Sequence, residues 1–226
     1  MARSVIVTGG FGVLGQAVSE AFAAAGDKVA RIDFAPAPHS PVAGALDIGS
    51  VDLTDVAATQ SAVDKVAAAH GGIDVLVNVA GGFTWETLEG GSLDTWAKMQ
   101  AMNLMSNATI TKLALPHLTA SGMGRVVNIG AGGAVKAAMG MGAYAASKSG
   151  VHRLTEALAE ELSGQGVTVN AILPSMIDTP TNRADMPDAD FSTWVQPAAI
   201  ADVILFLASD HARSITGALI PVTRGA

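Results

Sequence analysis

The sequence predicts an α/β fold, a doubly wound parallel sheet with helices on both faces. Three observations predict it. Short β-branched runs alternate with long Ala-rich segments along the whole chain. The short runs place apolar residues side by side, as strands buried on both faces do. Half of the 226 residues are apolar, 15% are charged, and 25 Gly stand against only three Trp, one Tyr and six Phe, so small aliphatic side chains close the layers.

The elements follow in order. Residues 4–8 (SVIVT) form a buried strand that runs into glycines, and residues 13–25 are helical. The Gly26-Asp27 turn leads into a strand at 28–32 (KVARI). Residues 55–69 are helical, and Gly71-Gly72 breaks that helix before a strand at 73–77 (IDVLV). Ser92, followed by Asp94 and Thr95, starts a helix that runs to residue 118, with Pro116 bending its last turn. A strand at 124–129, a long helix at 143–162, a strand at 167–173, a helix at 197–208 and a short strand at 219–222 complete the pattern. One domain over 1–226 accounts for this. The only extended irregular stretch is 174–196, rich in Pro and Asp, and a loop of that length in a compact domain is expected to be a lid or binding loop.

Composition excludes several function classes. The net charge is −7 with no basic run, so no nucleic-acid partner is expected. The chain has no cysteine, which rules out a disulfide scaffold, thiol catalysis and Cys-ligated metal. No apolar stretch reaches a membrane-spanning length, and residues 4–8 have no signal-peptide character, so no membrane partner and a cytoplasmic location are expected. The five histidines show no paired-ligand spacing, so no metal site is expected. His152 is read as a structural or interface residue, and Glu156, Glu160 and Glu161 as a solvated helix face or subunit contact.

Three motifs carry chemistry. The first strand ends in Thr8-Gly9-Gly10-Phe11-Gly12-Val13-Leu14-Gly15. Glycines on a strand-to-helix turn let backbone N–H groups approach a pyrophosphate at the positive end of the helix. Asp33 closes the second strand, 18 residues after Gly15, where a carboxylate accepts hydrogen bonds from ribose hydroxyls and repels a 2′-phosphate. That favours NAD, as NADH in the reduced form, over NADP. Arg31 stands two residues earlier on the same strand face and is the feature against that choice. Tyr144 and Lys148, in Tyr-Ala-Ala-Ser-Lys, share one helix face. A free tyrosine titrates at about 10, and a nearby ammonium lowers that value toward use as an acid–base group. Alone, such a pair is ordinary on helices. With the glycine loop and Asp33 it reads as catalytic.

On these residues the chain resembles the short-chain dehydrogenase/reductase family over essentially its whole length. The resemblance also rests on Asp52-Leu53, Asn78-Val79-Ala80-Gly81-Gly82, Asn103, Pro174 and Thr179. It implies a Rossmann-type sheet of about seven strands in the order 3-2-1-4-5-6-7 and a small-molecule substrate. It further implies a homodimer or homotetramer through the helices at about 92–120 and 143–163. In that family the equivalents of Asp52 and Leu53 hold adenine, and the turn of Val79, Ala80 and Gly81 backs the adenosine. Asn103 would hold a proton-relay water, Lys148 would also bind the nicotinamide ribose, and Pro174, Ile177 and Thr179 would meet the nicotinamide end.

Two departures stand out. The second loop glycine is Gly12 where the family pattern would have one at Val13. The family's catalytic serine stands 13 residues before the tyrosine, and here that position is Ala131. Losing such a donor typically costs ~10²–10³ in rate. The dihydropteridine reductase branch of the family also lacks the serine. The chain is similar to it at Val79-Ala80-Gly81-Gly82-Phe83, at Gly140-Met141-x-x-Tyr144, and over Leu173 to Trp194 (LPSMIDTPTNRADMPDADFSTW). The resemblance implies reduction of a quinonoid dihydropterin-like compound. A flat pterin calls for a stacking aromatic, and Phe83, Trp85 and Trp194 are the candidates, although each taken singly reads first as a packing residue; Ala131 is assigned to the substrate site with them. Two alternatives stay open. One is a ketone or secondary-alcohol dehydrogenase that works without the serine. The other is a non-catalytic dinucleotide-binding sensor or partner subunit.

Overall fold

The computed structural model describes residues 2–224. Its centre is a parallel sheet built from β1 (Ser4–Thr8), β2 (Lys28–Ile32), β3 (Leu46–Ile48), β4 (Val75–Asn78), β5 (Arg125–Ile129), β6 (Thr168–Pro174) and β7 (Leu219–Val222). The seven strands lie in the order β3-β2-β1-β4-β5-β6-β7, as the resemblance implies. β1 pairs with β2 from Ser4↔Lys28 and with β4 from Val5↔Val75.

Alternation along the strands sorts the core into two layers. Ile6, Leu76 and Val126 look to one face, where they meet α2 (Val56–His70), α4 (Ser106–Ser121) and α5 (Gly142–Glu161) through Val63, Ile110, Leu118 and Leu158. Val5, Val7, Val75 and Val77 look to the other, under α1 (Val13–Ala24) and α7 (Pro197–Leu207), where Phe22, Ile200 and Ile204 fill the layer. The Asp55 carboxylate caps α2 by accepting from the amides of Ala57 and Ala58, and Gly71 ends it at φ 90°.

The structure corrects three expectations. β3 has only three residues, too few for a periodic signal, and forms because Leu46 and Ile48 find Ala30 and Ile32 as partners. The helix expected over 92–118 is three pieces: α3 (Leu93–Met99), a π-helical turn at Gln100–Met105, and α4, which runs through Pro116 to Ser121. Ser92 caps its start by accepting from Asp94 N, as read from the sequence. Irregular backbone is also not confined to 174–196, since the segments 79–91 and 135–141 lack regular helix or strand. Within 174–196 lie α6 (Pro180–Asp185) and a 3₁₀ turn at Phe191–Thr193. No helix among the described residues is long and apolar enough to cross a membrane.

Winding reverses between β1 and β4. The loops that leave their carboxyl ends therefore diverge and open a crevice, the usual binding place in such sheets.

Candidate active site

A cleft of about 830 Å³ lies at that reversal. Phe11, Gly12, Val13, Leu14 and Gly15 line one side, Val79, Ala80 and Gly81 the floor, and Asp33, Asp52, Leu53 and Thr179 its rim. Gly9 has φ +60°, and a Cβ there would stand 2.9 Å from Ala80. A Cβ on Gly15 would strike the Gly9 carbonyl. Both positions need glycine for the loop to lie flat against the β4 end. At Gly12 the nearest atom to a Cβ is 3.5 Å away, so steric crowding does not account for that glycine.

Asp33 is held at the loop. Its Oδ2 accepts from Phe11 N at 2.9 Å and its Oδ1 from Ala35 N at 2.9 Å. Arg31 does not share its surroundings. The guanidinium is fully buried, donates to both Asp47 oxygens at 2.6 and 2.7 Å and to Gln16 Oε1 at 2.6 Å, and lies 5.3 Å from the Phe11 ring centre. The feature read against NAD is thus a neutralised strut beneath the loop. Gly10 packs against Arg31. Asp52 accepts from the amide and hydroxyl of Thr54, and these bonds hold its carboxyl below the usual aspartate value.

The second cluster sits on α5 and the loops beside it. Lys148 is buried, and its Nζ donates to Ile129 O at 2.8 Å. Desolvation pulls its pKa down to about 8. Burial pushes Tyr144 up to about 12, so the expected lowering by the neighbouring ammonium is not the dominant effect. Phe83 meets the Tyr144 ring edge-on, with centroids 4.9 Å apart. Asn103 sits on the π turn, buried, with its amide bonded to both backbone groups of Gly82 and to Ser147 Oγ.

Ala131 is buried and extended, and it presents a methyl group where the family's serine would stand. Ser147 and Ser149, the hydroxyls flanking Lys148, do not replace it: they donate to the carbonyls of Tyr144 and Ala134 at 2.7 and 2.9 Å. Trp85 is half exposed beside Gly140, where φ is +76° and any Cβ would collide with the indole. Glu86 N donates to Gly140 O at 2.8 Å, which clasps the two irregular loops together.

Trp194 is a correction. It is 6% exposed and packs on Phe191 at 4.7 Å, so its ring is spent inside the 174–196 segment. Several other residues of that motif bond within the segment too, although Thr179 also reaches the cleft. Thr179 accepts from Asn182 N, Asn182 donates to Ile177 O, Arg183 pairs with Asp178 and lies over Phe191, and Ile177 bridges Val195. Pro174 ends β6, buried. The motif's shared residues build the segment's own fold.

The pattern that defines short chain dehydrogenases matches residues 3–190. The chain belongs to the short chain dehydrogenase family. Among its relatives in that family is a meso-2,3-butanediol dehydrogenase from Serratia marcescens, 32% identical over 99% of this chain and 94% of that one. An acetoacetyl-CoA reductase from Shinella zoogloeoides is 34% identical over 100% and 98%. Among solved structures, the ligand-free aldohexose dehydrogenase of Thermoplasma acidophilum superposes with a TM-score of 0.90 at 27% identity, covering 99% of this chain and 93% of that one. Short chain dehydrogenases are oxidoreductases that use a nicotinamide cofactor, NAD or NADP. The cleft fits such a dinucleotide: its glycine loop leaves no room for side chains at Gly9 and Gly15, and the Asp33 carboxylate is fixed at the rim.

Motif reading found the loop, Asp33, Tyr144 and Lys148. It quoted Gly82 and Gly140 only as motif residues, and it missed Ser147 and the contact between His152 and Ala131. Ser147 lay inside the Tyr-Ala-Ala-Ser-Lys motif, and His152 stands one helical turn after Lys148, so both had a signal in their spacing.

Proposed function

We propose that the chain is an NAD(H)-dependent oxidoreductase acting on a small electron-poor substrate, a quinonoid dihydropterin-like compound first. The observation that carries this is Ala131. A carbonyl with developing negative charge needs a hydroxyl donor, and neither Ser147 nor Ser149 offers one. An already oxidised, electron-poor ring needs it less. Phe83 and Trp85, each 56% exposed beside Tyr144 and Gly140, supply aromatic surface for a flat substrate.

In this reading Gly9, Gly12, Gly15, Asp33, Asp52 and Thr179 hold the dinucleotide, and Asp33 selects NADH. The bound nicotinamide supplies the hydride. Tyr144 keeps its proton throughout the neutral range because burial holds its pKa at about 12, so it is a proton donor for reduction. Lys148 holds ribose and sets the field at the phenol. Asn103 fixes the loop of Gly82 beside them. In the same reading, copies of the chain form a homodimer or homotetramer through the helices at about 92–120 and 143–163.

A second reading is favoured by the relatives, which are named for a butanediol and an acetoacetyl thioester. It is reduction of a small ketone, or oxidation of a secondary alcohol, without the serine. The test is NADH oxidation with freshly generated quinonoid dihydropterin beside a panel of ketones. Fast turnover of the dihydropterin alone supports the first reading. Turnover of ketones alone replaces it with the second. NADH binding with no turnover of either marks a binding protein.

A further inference from the structure

Lys148 and His152 stand four residues apart, so α5 presents both on one face. That face lies on the end of β5. In extended backbone the carbonyl of residue 129 and the amide of residue 131 point to the same side. The helix takes both. Lys148 Nζ donates to Ile129 O at 2.8 Å, and His152 Nε2 accepts from Ala131 N at 3.2 Å. His152 is 3% exposed. A Cβ on Gly130 would stand 2.5 Å from Nε2, so the missing side chain is what lets the ring reach the backbone. Accepting at Nε2 requires the neutral imidazole with its proton on Nδ1.

We propose that His152 is a positioning residue that, as a neutral acceptor, fixes the backbone of Ala131 and hence the wall of the reaction site. A proton on Nε2 would set donor against donor and release that wall. The inference rests on the reading that Ala131 borders the reacting atoms. Its surroundings favour the neutral ring. Burial, Arg153 and Lys148 lower its proton affinity, and only Glu156 opposes them. All three charged neighbours are on α5. Gly130 and Leu173, which close on the same point from the end of β5 and from β6, bring no charge.

The test uses the whole chain labelled with ¹⁵N. The Ala131 amide and the His152 ring nitrogens are followed through a pH titration in the native protein and in His152→Gln. The glutamine amide oxygen can accept the same bond and does not titrate. The Ala131 amide is expected to shift together with the His152 ring, at a pH below the ordinary histidine value, and to stay still in His152→Gln. NADH-dependent reduction of quinonoid dihydropterin is then expected to show an acid limb at that same pH, absent in His152→Gln. In folded His152→Leu, kcat is expected to fall about a hundredfold, as a small misplacement of a reacting geometry can cause, with NADH affinity kept. An Ala131 amide indifferent to His152, an acid limb unchanged in His152→Gln, or full kcat in His152→Leu overturns the proposal. If the native chain turns over no substrate, the proposed function fails, and the titration decides the positioning role by itself.

Discussion

The side-chain amide of Asn103 holds Gly82 by both of its backbone groups. Oδ1 accepts from Gly82 N at 2.8 Å, and Nδ2 donates to Gly82 O at 3.0 Å. Nδ2 also reaches Ser147 Oγ at 2.9 Å, and that hydroxyl donates to Tyr144 O at 2.7 Å. The π turn brings Asn103 into this place, and through it the loop after β4 is tied to the helix that carries Tyr144 and Lys148.

Asn103→Leu should therefore cost stability and function together. It removes the amide's bonds to the half-buried backbone groups of Gly82 and to Ser147, at about 0.5–1.5 kcal/mol each. Urea unfolding is expected to show a loss on the order of 3 kcal/mol, and turnover should fall while NADH still binds. An unchanged midpoint would mean that water replaces the amide and that the tie does not hold the loop.

Tyr144→Phe separates binding from chemistry. The phenol is packed edge-on against Phe83 and removing its oxygen leaves that packing intact. NADH affinity should match the native chain, with turnover lower by about a hundredfold or more, the range for a positioned proton donor. Near-normal turnover would sink the proposed role of Tyr144.

Lys148 makes stability depend on pH with a definite sign. Its pKa falls from 10.5 to about 8 on burial. Between those values the unfolded chain binds the proton and the folded chain does not, so this residue's contribution to stability rises with pH across that window. Below about 8 its penalty is present in full. Unfolding free energies measured at several pH values from 7 upward, for the native chain and for Lys148→Met, should differ by an amount that shrinks as pH rises. A constant difference would mean that the ammonium keeps enough solvent to escape the penalty.

In the proposed function, cofactor choice rests on Asp33 rather than Arg31. Asp47 occupies the Arg31 guanidinium with two bonds. The native chain should prefer NADH, and Asp33→Ser should erode that preference. Asp47→Asn leaves a buried cation poorly paired and should destabilise the fold by about 3–5 kcal/mol. A native preference for NADPH in binding titrations would show that Asp33 does not repel the 2′-phosphate.

How far the sequence could be read follows from which forces are local. β1 is legible because five buried residues run into a glycine loop, a pattern with one common outcome. β3 is not, because Leu46-Asp47-Ile48 becomes a strand only when Ala30 and Ile32 pair with it and Arg31 meets Asp47. The π turn leaves the apolar pattern of its helix unbroken, so the place of Asn103 was visible only through the family resemblance. Ala131 is legible as an absence. What holds its backbone, a histidine from the facing helix on its amide, depends on how α5 lies on β5. Trp194 misled for a related reason: in a binding loop an aromatic looks like a ligand platform until Phe191 is seen against it.

The segment over 175–196 yields the last prediction. Arg183 donates to both Asp178 oxygens at 2.6 and 2.7 Å, and Gln196 adds a third bond at 2.8 Å from beyond the 3₁₀ turn. Arg183 and Gln196 hold the Asp178 carboxyl at about 2. The folded-state value is depressed, so the contribution is complete above the ordinary aspartate pKa and is lost only as pH falls through about 2. The lock therefore stays closed across the working range. Asp178→Asn should weaken all three bonds while leaving the sheet core untouched. Hydrogen exchange over 175–196 is expected to speed up, with β1, β4 and β5 as protected as before. Dinucleotide affinity should fall as well, because Thr179 reaches the cleft from the same segment. Unchanged exchange would place the rigidity of the segment in the Phe191–Trp194 packing and the Ile177–Val195 bridge instead.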